Sequence, residues 1–314
     1  MQVLKNVKAY VDGEIVKCDI TFENGIIKEI GKNLDTYKAK EISVDKYSVV
    51  CPGFIDEHIH GAAGADGMDG SENAIATIAN AIASEGTTGF LVTTMTQSKE
   101  NIINALSAVN RYIDGHFEDG AAVLGVHLEG PFISKKHVGA QPIEYVQSPS
   151  VSAFKEYEKA SGGHIKIVTL APEEEGAAEL IQSLASKNIV ASIGHTDAKY
   201  KDVKKAIEMG ARSVTHTYNA QTPLHHREVG VVGSVLLEGK LNAELIADIS
   251  GSLLDSLPDE VSDALEDIGQ TDLYTLIVGS IFYKLAGLLL PIIYMIMASN
   301  NLIAGQVDSG SMAY

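Results

Sequence analysis

The chain has 314 residues, long enough for one large α/β domain with a smaller appendage, and carries a formal net charge of −17 at pH 7. So acidic a surface argues against a nucleic-acid partner, and it means that an anionic substrate has to be held by local cations. Two cysteines, Cys18 and Cys51, exclude a disulfide framework and fit a reducing, cytoplasmic setting. Residues 1–7 are too short in apolar length to read as a signal peptide.

Residues 1–48 alternate in short apolar and polar runs broken by glycine turns, with Asn24-Gly25 between two such runs as the strongest hairpin signal. They read as a small β domain. From 49 to about 250, short apolar runs alternate with helical periods, which implies parallel strands joined by helices. Seven strands are expected, near 50–57, 89–94, 122–128, 165–171, 189–194, 212–216 and 243–248. After Ser252 the composition changes: eight acidic residues stand against one basic residue, Lys284, and no histidine occurs. Within this third segment, 251–314, residues 276–298 are almost entirely apolar and long enough to span a bilayer, so the tail is read as an apolar helix able to contact a membrane.

The chemistry sits at the strand ends. His58 and His60 follow the first apolar run, Glu129 ends the third, His195 follows the fifth and His216 the sixth. Two histidines two apart on an extended segment point the same way, which suits chelation. A carboxylate in an apolar strand end needs a cation to stay charged. Each residue alone could be structural. A parallel barrel, however, gathers strand ends on one face, so the ordered set points to one metal centre. Imidazoles with a carboxylate suit zinc or iron(II), as one ion or two.

The stretch Pro52-Gly53-Phe54-Ile55-Asp56-Glu57-His58-Ile59-His60-Gly61 resembles the first-strand signature of the amidohydrolase superfamily. Four further blocks, at 127–132, 194–198, 215–220 and 223–228, resemble the N-acetylglucosamine-6-phosphate deacetylases within it. The resemblance covers about residues 1–249. It implies a (β/α)8 TIM-type barrel with a small β-sandwich domain, dimeric assembly, and hydrolysis of the acetamide of N-acetylglucosamine 6-phosphate to glucosamine 6-phosphate and acetate. It also implies that Glu129, His195 and His216 hold a metal, that His58 and His60 match the ligands of members with a second ion, and that Ala140, Asn219 and Ala220 line the sugar. Arg227 would hold the phosphate, a role that suits a planar guanidinium.

The chain departs from the family after Asp248. The Gly-Ile-His-like segment and the eighth strand with its catalytic aspartate are not found, and Asp255, Asp263 and Asp272 do not replace that aspartate. The barrel is therefore expected to be incomplete. The alternative reading is a catalytically impaired fusion of a deacetylase barrel with a membrane-protein fragment.

Overall fold

The computed structural model describes residues 1–45, 48–115 and 120–246. Asp255, Asp263 and Asp272 and the apolar segment 276–298 lie outside the described residues. Among those described, no helix is long and apolar enough to cross a membrane.

Contacts group the chain into two units, Met1–Phe54 and one that starts at Ile55. The first unit is a five-stranded sheet of β1 (Gln2–Val11), β2 (Glu14–Glu23), β3 (Ile26–Gly31), β4 (Lys40–Glu41) and β5 (Val49–Val50). β1, β2 and β3 form an antiparallel meander. Its turns are Asp12-Gly13 and Asn24-Gly25, all four at positive φ, the conformation that twist-matched two-residue hairpins demand. Val7, Ala9, Cys18 and Ile20 form its small core.

The run from Val49 to Ile55 is not one strand, contrary to its reading as a continuous apolar lead into His58. Val49 and Val50 pair with β1, whereas β6 (Phe54–Ile59) belongs to a different sheet. The break falls at Cys51-Pro52-Gly53. Proline cannot donate to a ladder and glycine gains little from strand packing, so the ladder ends there.

The second unit continues with a hairpin, β7 (Gly61–Ala62) and β8 (Ala65–Asp66), then α1 (Glu72–Ser84), β9 (Thr87–Thr93), α2 (Lys99–Asp114), β10 (Ala122–Glu129), α3 (Val151–Ala160), β11 (Ile165–Leu170), α4 (Ala177–Ser186), β12 (Val190–Ile193), α5 (Tyr200–Met209), β13 (Ser213–Val214), α6 (Gly230–Leu237) and β14 (Asn242–Ala243). Its main sheet runs β14-β13-β12-β11-β10-β9-β6, and every resolved pairing from β9 to β14 is parallel. Helices α1 to α5 supply one apolar face each. In α1 that face is Ile75, Ile78, Ala79 and Ile82, and the helix starts at Ser71, whose hydroxyl accepts from the Ala74 amide. These faces join Phe90, Val126, Leu128, Val168, Leu170 and Ile193 of the strands in one buried cluster.

The sheet curls. His58 lies in β6 at one edge and Glu244 follows β14 at the other, yet His58 Nδ1 and Glu244 Oε2 are 2.8 Å apart. The carboxyl ends of the first and last strands of the sheet therefore meet across its concave side.

Candidate metal centre

Glu129 is the last residue of β10, a central strand, and its residue surface is 2% exposed. Four histidine Nε2 atoms surround its carboxylate. Those of His216, His195 and His58 lie 3.1, 3.3 and 3.4 Å from Oε1, and that of His60 lies 3.4 Å from Oε2. The five ligand candidates expected from the sequence thus come together, as two triads that share Glu129: Glu129-His195-His216 and His58-His60-Glu129.

The local backbone explains how isolated residues reach this point. Gly194 follows β12 at a point where an added Cβ would lie 2.8 Å from both Thr169 Cγ2 and Thr215 Cβ, so only glycine lets the chain pass. His195 then takes φ 48°, and His216 takes φ 29°. Left-handed conformations are costly for residues with a side chain and persist where surrounding structure enforces them, commonly at functional sites. Here they turn both imidazoles inward from short strand ends.

The imidazole orientations are fixed from behind. His195 Nδ1 is 2.9 Å from the His137 carbonyl oxygen, and His216 Nδ1 is 3.1 Å from that of Asn219. A carbonyl only accepts, so both Nδ1 atoms carry hydrogen. Their Nε2 atoms face each other at 3.1 Å. With hydrogen on Nδ1, each imidazole when neutral presents its lone pair on Nε2, the atom that also faces Glu129 Oε1. Together with the buried carboxylate, this nitrogen and oxygen set fits a divalent cation.

The charges agree with that reading. Burial alone would raise the Glu129 pKa, but hydrogen bonds from His195, His216, His58 and His60 outweigh it and hold the carboxyl well below its usual range. Burial would likewise lower His58, yet its bonds to Glu129 and Glu244 raise it to about 10 in the metal-free protein. His127 behaves in the opposite way. Burial first, then the charge of His58, lowers it to about 4. It stays neutral, with Nδ1 donating to the Glu57 carbonyl at 3.0 Å and Nε2 accepting from Thr169 Oγ1 at 2.7 Å. Thr169, Thr215 and Ser192 extend this contact as a chain of hydroxyl bonds, each 2.7 Å, beneath the centre.

Two residues at the centre are not readable from strand-end histidines. Gln141 donates from Nε2 to Glu129 Oε2 at 2.7 Å and accepts the Thr96 amide on Oε1 at 2.7 Å. Its only signal was its place beside Ala140. Glu244 was hidden in a strand expected for its apolar residues alone.

The other expected site residues lie on the loops that follow β10 and β13. Ala140 is exposed, and a side chain at its neighbour Gly139 would meet His195 and Ala220. Asn219 bonds His216 through both amide and carbonyl, and the Ala220 carbonyl accepts the Thr196 amide at 3.1 Å. Arg227 is exposed on its loop, where Nε donates to His226 Nε2 at 3.1 Å.

Strand-end histidines around a buried carboxylate, on the carboxyl side of a curled parallel sheet, define the class as metal-centred α/β proteins of the barrel type. The Amidohydrolase family matches residues 49–259, and the chain belongs to that family. It is 42% identical over 251 residues to N-acetylglucosamine-6-phosphate deacetylase of Bacillus subtilis, an alignment that covers 78% of this chain and 63% of that protein. The solved deacetylase of Thermotoga maritima shares 33% identity, with a TM-score of 0.67 over 79% of this chain and 63% of its own. That of Pasteurella multocida shares 26%, with a TM-score of 0.71 over 85% and 68%. The chain therefore spans less than two thirds of the curated relative named here.

Proposed function

We propose that the chain is built to hydrolyse the acetamide of N-acetylglucosamine 6-phosphate, releasing glucosamine 6-phosphate and acetate. The observation that carries this reading is the convergence of Glu129, His195 and His216 on one point, within a chain 42% identical to a deacetylase of that substrate. Glu129, His195 and His216 hold one divalent cation, zinc or iron(II), and His58 and His60 with Glu129 hold a second. When bound, such an ion polarises an amide carbonyl and makes water a better nucleophile near neutral pH.

The residues of the chain do the rest. Gln141 fixes the Glu129 carboxylate, and the carbonyls of His137 and Asn219 fix the imidazoles. Ala140, Asn219 and Ala220 line the sugar, and Asn219 is placed by its bonds to His216. Arg227, exposed beside His225 and His226, binds the 6-phosphate through a charge-assisted contact in an otherwise acidic protein. Residues 1–48 form a small β domain and residues 49–250 a (β/α)8-type barrel that lacks its eighth strand, and a homodimer in the cytoplasm is the working form. The two unpaired cysteines suit that compartment.

Acetate release by the full chain, loaded with zinc or iron(II), tests the proposal. Turnover of N-acetylglucosamine 6-phosphate that disappears with a chelator supports it, and equal turnover of the unphosphorylated sugar argues against the role of Arg227. A second reading, binding with slow turnover, is favoured by the sequence after Asp248, where the family pattern with its proton-donating aspartate is lost. Tight substrate binding without acetate release would select it.

A further inference from the structure

Glu244 takes no place in the ligand set above, yet it is built into the centre. Its amide donates to the Val214 carbonyl at 2.9 Å, and its carbonyl accepts the Thr217 amide at 2.7 Å, so its backbone is clamped on both sides of His216. Its side chain, only 11% exposed, points back under the site. There Oε2 accepts two hydrogens, from His58 Nδ1 at 2.8 Å and from the His216 amide at 3.1 Å. One oxygen thus ties together two histidines that face Glu129, one from the edge strand β6 and one from the turn after β13.

The consequence for His58 is specific. With Nδ1 committed to a carboxylate, the ring is oriented so that Nε2 faces Glu129 Oε1 at 3.4 Å. A carboxylate behind a ligating imidazole fixes its tautomer and raises its basicity. Asn219 and His137 do this for His216 and His195 through neutral carbonyls; among the described residues, only His58 of the four histidines is backed by a charge. An alternative use of Glu244 is as a ligand itself, since His58, His127 and Glu244 also lie close enough to share an ion. Both His127 nitrogens are already bonded, to the Glu57 carbonyl and to Thr169, so an ion there would have to break existing contacts.

We propose that Glu244 is a positioning residue for His58, and that through it the last strand of the sheet controls whether the His58-His60 side of the centre holds a cation. This rests on the metal-centre reading above. The test is zinc affinity of the full chain, measured by competition with a chromophoric chelator, for wild type, E244A, the isosteric E244Q, H58A, H127A and the E244A/H58A double variant. E244A is expected to weaken the more weakly held ion about 10- to 100-fold, the range for losing such a supporting partner, while the other ion stays bound. E244Q, which can still accept from Nδ1 but carries no charge, should fall between. In the H58A background E244A should have no further effect. An equal loss in that background would overturn the proposal by showing that Glu244 acts elsewhere, as would E244A binding zinc like wild type while H58A does not. Loss of a further ion on both E244A and H127A would make Glu244 a ligand instead, and also overturn it. If H58A itself leaves zinc binding unchanged, it is the metal-centre reading that fails.

Discussion

The two sides of the centre are built by different means. His195 and His216 are oriented by main-chain carbonyls, from His137 and Asn219. His58 is oriented by the Glu244 side chain, and His60 Nδ1 is buried with no partner among the described residues. A backbone carbonyl comes with the fold and carries no net charge. A carboxylate has to be kept ionised in a buried place, and here burial raises the Glu244 pKa while its bond to His58 brings it below the usual value. The His195-His216 side is therefore set once the sheet forms, whereas the His58-His60 side depends on proton and ion occupancy.

The largest expected effect tests what the two sides share. Glu129→Gln removes the charge that all four histidines face, and should lower affinity for both ions by more than about 100-fold, beyond the range for a supporting residue. Metal content after dialysis measures it. Retention of one full ion equivalent would mean that the sides are independent.

Next comes pH. In the metal-free protein the His58 pKa is raised from 6.5 to about 10, so its contribution to stability is full below about 6.5 and is lost as pH rises through 10. His127, lowered to about 4, contributes fully above 6.5 and loses its contribution as pH falls through 4. Glu129 is held low, so its contribution too is lost in acid. Melting temperature of the metal-free chain should thus fall on both flanks, and His58→Ala should flatten the alkaline one. Metal should replace the His58 proton, so zinc affinity should rise with pH up to about 10 in wild type and less steeply in His58→Ala.

Outside the comparison of the two sides, Arg227→Ala should raise KM for the phosphorylated sugar about 10- to 100-fold, as expected for losing a charged hydrogen bond, and leave the unphosphorylated sugar unaffected. Binding titrations of the two sugars separate those outcomes.

Much of the centre was legible because its ligands follow strands whose apolar runs stand out. His58, His60, Glu129, His195 and His216 needed only chain order and the rule that parallel strands share an edge. The Asn24-Gly25 hairpin was equally plain, since the dipeptide specifies positive φ at both positions. Glu244 was not legible, because β14 is only two residues long and a carboxylate beside apolar residues has no signal of its own until the sheet curls. Nor was α6, whose Gly-Val-Val-Gly-Ser-Val-Leu-Leu sequence is apolar on every side and lacks the helical period that marks α1. The Val49–Ile55 run misled because hydrophobicity persists across a proline that changes the partner strand.

The smallest effect probes what supports the more conditional side. His127 lies beneath His58, with ring centroids 4.6 Å apart, and holds the Glu57 carbonyl one residue before it. Its Nε2 depends on the Thr169 hydroxyl. Thr169→Val keeps the shape and removes that donor, which leaves a buried nitrogen without a partner at a cost of about 1–3 kcal/mol. Thermal or urea unfolding would measure this. Because no carbonyl that orients His195 or His216 is touched, zinc affinity on their side should not change, whereas the His58-His60 side should weaken slightly as β6 loosens. Equal weakening on both sides would mean that the hydroxyl chain through Thr169, Thr215 and Ser192 supports the whole centre, and that the two sides are less separate than their hydrogen bonds imply.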